Sequence, residues 1–493
     1  MWLIYVIELV ALIVLCSIAV RRGLEAAFPF AAFAFVLIPR DAAITIPGVF
    51  DITTQRVLLA ALFVLYLMLP RRQAVTLRVD AVLKWLIIAH IGWCIVSTAD
   101  SIVPVLSLKK MVSEVVEYYL LFYIFLRSIS AKQTINRIIF GIVGAVITCS
   151  LLGAIEAYSD WSIMEWFPSV AHNFEGWSAV GEASGRDVRV TSTFAHPILF
   201  GAGLTIGIVL TLYLLRTTTS TRKRIFLWVG MLLMFLNIYK TSSRGPWLGL
   251  GISLLFLLVW ESGRVRKYLA ALAALTAVVL VLRPGVWETI ANIYYATFDP
   301  TSPLGSSYEY RYVLRDLIVK ALSVSPMRWL CGFGMESFYS LKLEGLLYGH
   351  PYKFLSCDSA WLEILVETGY VGLFIVISIL TIPLHRACSD MWRARDPVQI
   401  YFASAMISYY FMMMSAALYG WGQTGYMLWL MITCSFASRG LRVKSSSHDE
   451  VDVEPIDSVA VTDECQRHQP TQSYDTFSPV HGRLVTPPFL PLQ

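Results

Sequence analysis

An all-α polytopic membrane fold is predicted by three observations: an apolar composition, repeated apolar runs of membrane length, and basic residues gathered in every second connection. Of 493 residues, 57% are apolar and 15% charged, with a mean hydropathy of +0.63. Soluble domains carry about 25% charged and roughly 45–50% apolar residues. A spanning helix needs about 20 mostly apolar residues. Runs that meet or approach this length are 2–20, 26–39, 56–69, 82–98, 111–127, 137–157, 193–215, 225–240, 246–260, 268–282, 359–385, 398–418 and 425–438, which predicts about twelve to thirteen transmembrane helices.

The first run, Met1–Val20, lacks a leading basic region and is followed by Arg21-Arg22. That pattern reads as a retained helix with its N-terminus outside. Alternate connections then carry the positive charge: Arg71, Arg72 and Arg78; Arg127, Lys132 and Arg137; Arg216 and Arg222–Arg224; Arg264, Arg266 and Lys267; Arg386, Arg393 and Arg395; Arg439, Arg442 and Lys444. The positive-inside rule makes these cytoplasmic. Lys109-Lys110, in an outer connection, goes against it.

Residues 1–440 form the predicted membrane domain, with a large, partly helical outer loop over 283–357. A connection of that length is usually functional. Within it, Ser306 and Glu309 fit a capping box that opens a helix to about Ser323. Residues 441–493 are polar, rich in Pro, Ser, Asp and Glu, and predict a disordered cytoplasmic tail. Trp161, Trp166 and Trp177 suit the headgroup level, or stacking on sugars.

The net charge of +5 is spread over short turns, which argues against nucleic-acid binding. The cysteines show no zinc spacing; Cys331 and Cys357 share the outer loop, where a disulfide is feasible.

Charged residues within the apolar runs are few; Glu8, Lys84, Glu114, Glu117 and Glu156 are the main ones, and most lie near the ends of the runs. Polar groups crowd the outer side instead: Arg244, Arg311, Arg315, His350, Asp358, Glu363 and Glu367. Arg244 lies at a hairpin tip between two apolar runs, where an arginine is either an interfacial anchor or an anion receptor. Arg311 and Arg315 fall one helical turn apart. Like charges at that spacing repel, so they either face water or share an anion.

Four blocks carry a family resemblance. Thr241-Ser-Ser-Arg-Gly-Pro-Trp-Leu-Gly-Leu and Asp358-Ser-Ala-Trp-Leu-Glu-Ile-Leu-Val-Glu-Thr-Gly-Tyr-Val-Gly-Leu373 resemble signatures of the O-antigen ligase and polymerase superfamily. Arg311-Tyr-Val-Leu-Arg with Gly332-Phe-Gly-Met-Glu-Ser-Phe338 is similar to its outer-loop pattern, and Thr193-Phe-Ala-His-Pro-Ile-Leu-Phe-Gly201 to its preceding helix start.

The resemblance implies a GT-C-like glycosyltransferase in the bacterial inner membrane, active at its periplasmic face without metal or other cofactor. The donor it implies is an undecaprenyl-diphosphate-linked oligosaccharide, and the acceptor a glycan hydroxyl. The implied partners are these substrates, the bilayer, and other polysaccharide export or biosynthesis proteins. Arg244 and Arg311 occupy the family's two arginine positions, which assigns them to the diphosphate. Arg315 is an adjacent helper. Family ligases place a histidine where this chain has Asp358. Asp358 is then the candidate base or a group orienting a sugar hydroxyl, which favours a polysaccharide polymerase. His350 is a substitute candidate for the missing histidine. Glu367, with Glu363 one turn before it, is a candidate for acceptor binding or for an ion pair with an arginine.

The alternatives are an O-antigen ligase acting on lipid A–core or a protein and, in another class, a lipid-linked oligosaccharide flippase. A flippase predicts a charged cavity at mid-membrane.

Overall fold

The computed structural model describes residues 2–40, 43–44, 51–69, 80–159, 161–167, 189–282, 291, 295, 306–394, 396–416, 418–419 and 422–451. The chain divides into one compact unit over Met1–Ser446 and a second over Ser447–Gln493. Of the second unit, only 447–451 are described, as the end of a helix.

The fold is all-α, as the composition predicts. Its helices are α1 (Trp2–Arg22), α2 (Leu24–Leu37), α3 (Thr54–Met68), α4 (Ala81–Ala99), α5 (Pro104–Lys110), α6 (Glu117–Ser128), α7 (Lys132–Ser159), α8 (Pro197–Thr217), α9 (Thr221–Lys240), α10 (Arg244–Trp260), α11 (Arg264–Leu282), α12 (Ser306–Leu322), α13 (Pro326–Cys331), α14 (Ala360–Ala394), α15 (Pro397–Met412) and α16 (Gly422–Val451). A π-helical turn, Met111–Val116, joins α5 to α6 without a break. Each apolar run picked out in the sequence overlaps one of these helices; the run over 111–127 also takes in the π-helical turn, and 398–418 runs past the end of α15 at Met412.

Among the described residues, five helices are long and apolar enough to cross a membrane: Leu3–Arg22, Ala81–Ala99, Lys132–Ser159, Pro197–Thr217 and Ala360–Arg393. Leu24–Leu37, Thr54–Met68 and Arg244–Trp260 are apolar but shorter. At about 1.5 Å per residue, fewer than 18 residues do not traverse a core about 30 Å thick without distortion. The expected count therefore includes helices that do not span by length alone. The last helix also continues to Val451, past the boundary expected at 441; residues 452–493 lie outside the described residues.

Local chemistry sets the helix starts. The Thr53 hydroxyl accepts from the Arg56 amide to cap α3, Asp80 caps α4, and Asp396 caps α15. Proline opens α5, α8 and α15, where a missing N–H costs nothing.

Helix α8 is the hub of the bundle, with most of its surface buried against α7, α9, α10 and α15. Small residues let backbones close on it. At Gly201 a Cβ would strike the Pro246 ring, so the start of α10 lies directly on α8. The arginine-rich ends of the helices are tied by ion pairs: Arg216 with Glu261, Arg386 with Asp80 at 3.0 Å, and Arg442 with Asp390 at 3.1 Å.

At the opposite end, the loop before α14 has its own small core. Leu314, Ile318 and Leu322 of α12 pack with Phe338, Phe354, Leu365 and Val366. A hairpin of β3 (Glu344–Leu347) and β4 (His350–Lys353) covers it. The shorter β1 (Ala43–Ile44) and β2 (Ile52–Thr53) pair antiparallel before α3. The capping pair expected at Ser306 needs a side chain outside the described residues. Cys331 and Cys357 are separate thiols, not a disulfide. Burial holds the Cys357 thiol well above its usual range.

Candidate functional site

Two of the sequence blocks form one structural joint. Helix α14 kinks at Gly369, whose φ of 70° breaks the hydrogen-bond ladder. The freed carbonyls find partners in the Gly332–Ser337 loop. Phe333 N donates to Val366 O at 2.9 Å, and Gly334 N to Glu367 O at 3.0 Å. From α4, Ser97 Oγ donates to Glu367 O at 2.8 Å and Trp93 Nε1 to Thr368 O at 2.9 Å. A side chain at Gly369 would strike the Leu330 carbonyl, and one at Gly332 the Glu367 backbone. Glycine is required on both sides by close approach and by positive φ.

Glu367 and Glu363 are held at this joint by a lysine rather than an arginine. The Lys110 ammonium donates to Glu363 Oε1 at 2.7 Å and to Glu367 Oε1 at 2.8 Å, and lies 3.4 Å from Glu336 Oε2. Glu367 Oε1 also accepts from the Glu336 amide at 2.8 Å. Lys110 and Glu367 are almost fully buried. The apparent violation of the charge rule at Lys110 thus has a physical cause: its charge is matched by acids from a segment over 200 residues away. A cavity of about 30 Å³ lies beside them, lined by Glu114, Tyr118 and His90 among others. That holds about one water and no sugar. Glu117 is also paired, with Arg56 Nε at 2.6 Å and the Tyr426 hydroxyl at 2.6 Å.

Asp358 sits just before α14, at a crossing of three segments. Its carboxylate accepts from Ser356 Oγ at 3.1 Å and lies 3.8 Å from Arg311 Nη2. Its side chain is 42% exposed, so the carboxylate remains accessible. Arg311 points in from α12. Nε donates to the Asp358 carbonyl at 3.3 Å and Nη2 to the Ser415 carbonyl at 3.1 Å. The neighbouring Tyr310 hydroxyl donates to Ser356 O at 2.6 Å, so two adjacent residues of α12 grip the same turn. Burial pushes the Tyr310 phenol up to about 12, which keeps it a proton donor.

The Arg244 tip reaches the same place. Arg244 opens α10, and a Cβ on Gly245 would strike Ser415 Oγ. The turn between α15 and α16 therefore meets both arginine-bearing segments. Ala360 N, donating to Met413 O at 2.9 Å, ties the Asp358 end of α14 to that turn as well.

Other residues singled out in the sequence lie apart. Arg315 is exposed, binds Asp316 Oδ1 through Nε at 3.0 Å and Nη2 at 2.8 Å, and covers the Tyr312 ring. His350 is exposed on β4, paired across the hairpin with Leu347. Neither is among the described contacts of Asp358. His196 caps α8, its Nδ1 accepting from Ile198 N at 3.0 Å. Burial first, and Arg189 second, push its imidazole down to about 3. Trp161 and Trp166 meet edge to face at 5.5 Å; Trp177 lies outside the described residues.

Sequence reasoning missed one arginine. Arg189 donates from Nε to Thr241 O at 3.0 Å and from Nη2 to Ser243 Oγ at 2.6 Å, astride the turn before Arg244. Its proximity to the Thr193–Gly201 block was the available signal.

The fold and this end of the bundle define a multi-pass membrane protein in which two arginine-bearing segments and an aspartate share one turn. Residues 229–377 match the family described as O-antigen ligase. The match spans less than a third of the chain but contains Arg244, Arg311, the Gly332–Ser337 loop, Asp358 and Gly369. It bears out the resemblance to the O-antigen ligase superfamily, and with it an O-antigen ligase- or polymerase-type function in general. No curated protein matches the chain.

Proposed function

We propose that this protein is a polysaccharide polymerase of the inner membrane. It transfers an undecaprenyl-diphosphate-linked glycan onto an acceptor sugar hydroxyl at the periplasmic face. The observation that carries this reading is the meeting of Arg311, Asp358 and the Arg244 tip at Ser415.

In the reaction, the acceptor oxygen bonds to the anomeric carbon of the donor as the bond to the diphosphate oxygen breaks. Negative charge grows on the leaving diphosphate. Arg244 and Arg311 hold it, since guanidinium groups bind phosphate oxygens in pairs and stabilise them in a dry site. Asp358 takes the proton released by the acceptor hydroxyl. Arg311 is now shared between carbonyls and a carboxylate 3.8 Å away, a loose pairing that an arriving diphosphate can outcompete. The charge comes from side chains, so the reading needs no metal, and the family resemblance implies a GT-C-type transferase.

The second reading keeps this chemistry and changes the acceptor to lipid A–core or a protein. The description of the matched family as O-antigen ligase favours it; the aspartate at the family's histidine position favours the first. Deleting the gene separates them. Single repeats left on lipid indicate a polymerase, whereas long chains stranded on undecaprenyl diphosphate indicate a ligase. Unchanged surface glycans would remove both.

A further inference from the structure

We infer that Arg189 is a positioning residue that fixes the direction of Arg244. The inference rests on the proposed diphosphate role of Arg244.

The turn between α9 and α10 is under strain. Ser242 is exposed and adopts a φ of 47°, in the left-handed region that a serine does not favour. Such a conformation persists only where its surroundings hold it. Arg189 does so from outside the turn. Its two bonds fall on Thr241 and Ser243, the residues flanking Ser242. Ser243 Oγ in turn donates to Thr241 O at 2.9 Å, closing a small ring over the strained residue. Ser243 is also the residue from which α10 and Arg244 start.

The base under Arg189 is rigid. Val190 N donates to Lys240 O at 3.4 Å. The buried Glu156 carboxylate accepts from Thr191 N and Thr191 Oγ1, each at 3.1 Å, and from Ser192 N at 2.6 Å. The segment is thus fastened to α7 on one side and to the end of α9 on the other. Arg189 carries that fixity to the turn. A lysine cannot replace it, because one ammonium on a flexible stem does not bridge two acceptors in a fixed fork.

The test uses the full chain in lipid nanodiscs, with farnesyl diphosphate as the probe. Arg189→Gln is expected to weaken binding about tenfold, as loss of hydrogen bonds from a charged group does. Arg189→Lys is expected not to restore it. In an Arg244→Ala background, Arg189→Gln is expected to add nothing, because its effect passes through Arg244. Full additivity of the two substitutions, or rescue by lysine, overturns the inference. A second readout is independent of ligand: hydrogen exchange at the Gly245 and Trp247 amides. Arg189→Gln is expected to speed it, and unchanged exchange also overturns the inference. Absence of probe binding by the unsubstituted protein counts against the proposed function instead, while the exchange measurement still decides the role of Arg189.

Discussion

Arg311 meets Asp358 twice, through Nε on its carbonyl at 3.3 Å and through Nη2 at 3.8 Å from its carboxylate. The first contact fixes the aspartate's backbone. The second leaves the carboxylate only loosely held. A group that must accept a proton from an incoming hydroxyl benefits from this combination of a fixed position and an unsaturated charge.

Arg311 should therefore be intolerant of conservative change. Arg311→Lys keeps the charge but loses the fork that reaches Asp358 and Ser415 together. Removing one such donor from a developing oxyanion typically costs about 10²–10³ in rate. Turnover of a purified lipid-linked donor should fall by that order for Arg311→Lys as well as Arg311→Ala. Near-normal turnover by the lysine variant would show that charge alone suffices.

Asp358→Asn preserves shape and removes the base. A positioned base contributes typically about 10²–10⁴ in rate, and turnover should drop accordingly while thermal stability is unchanged. Undiminished turnover would leave Asp358 with an orienting role only.

Lys110 is predicted to matter for stability. Lys110→Met would strand the buried Glu367 and the partly buried Glu363 without their cation. Breaking a buried pair from one side costs about 3–5 kcal/mol. Thermal unfolding in detergent should show a large fall in midpoint. A midpoint within a degree or two of the unsubstituted protein would show that the acids are satisfied in another way.

The cap of α8 introduces a dependence on pH. Burial, and Arg189 after it, push the His196 imidazole in the folded chain down to about 3 from its ordinary 6.5. Between those values the unfolded chain binds the proton and the folded one does not, so stability rises with pH. Its contribution is complete above about 6.5 and declines as pH falls towards 3. His196→Asn keeps a capping oxygen and removes the titration. The variant's melting midpoint should fall less between pH 7 and pH 4; an identical fall in both proteins would assign the acid sensitivity elsewhere.

Much of this end of the bundle was legible in sequence. The apolar runs mark the helices because membrane burial imposes a local signal at each position. Arg244, Arg311 and Asp358 were legible because they stand in recognisable blocks. What stayed hidden depends on contacts between distant segments. Lys110 looked like an exception to charge alternation until its partners, Glu363 and Glu367, were in view. Gly332 and Gly369 each read as a motif residue, yet the need for glycine arises only when the two backbones meet. Arg189 showed only its nearness to the Thr193–Gly201 block; its role follows from the strained Ser242 turn that it spans. Arg315, one turn from Arg311, shows the limit of helical spacing, since a neighbouring Asp316 draws it away.

The central claim is that Arg244 and Arg311 hold one diphosphate beside Asp358. A cryo-electron microscopy structure with a non-transferable lipid-diphosphate-sugar analogue tests it most directly. The account predicts diphosphate density in contact with both guanidinium groups and the anomeric carbon facing the Asp358 carboxylate. Density at any other place on the protein, or touching one arginine while the other points away, would contradict it.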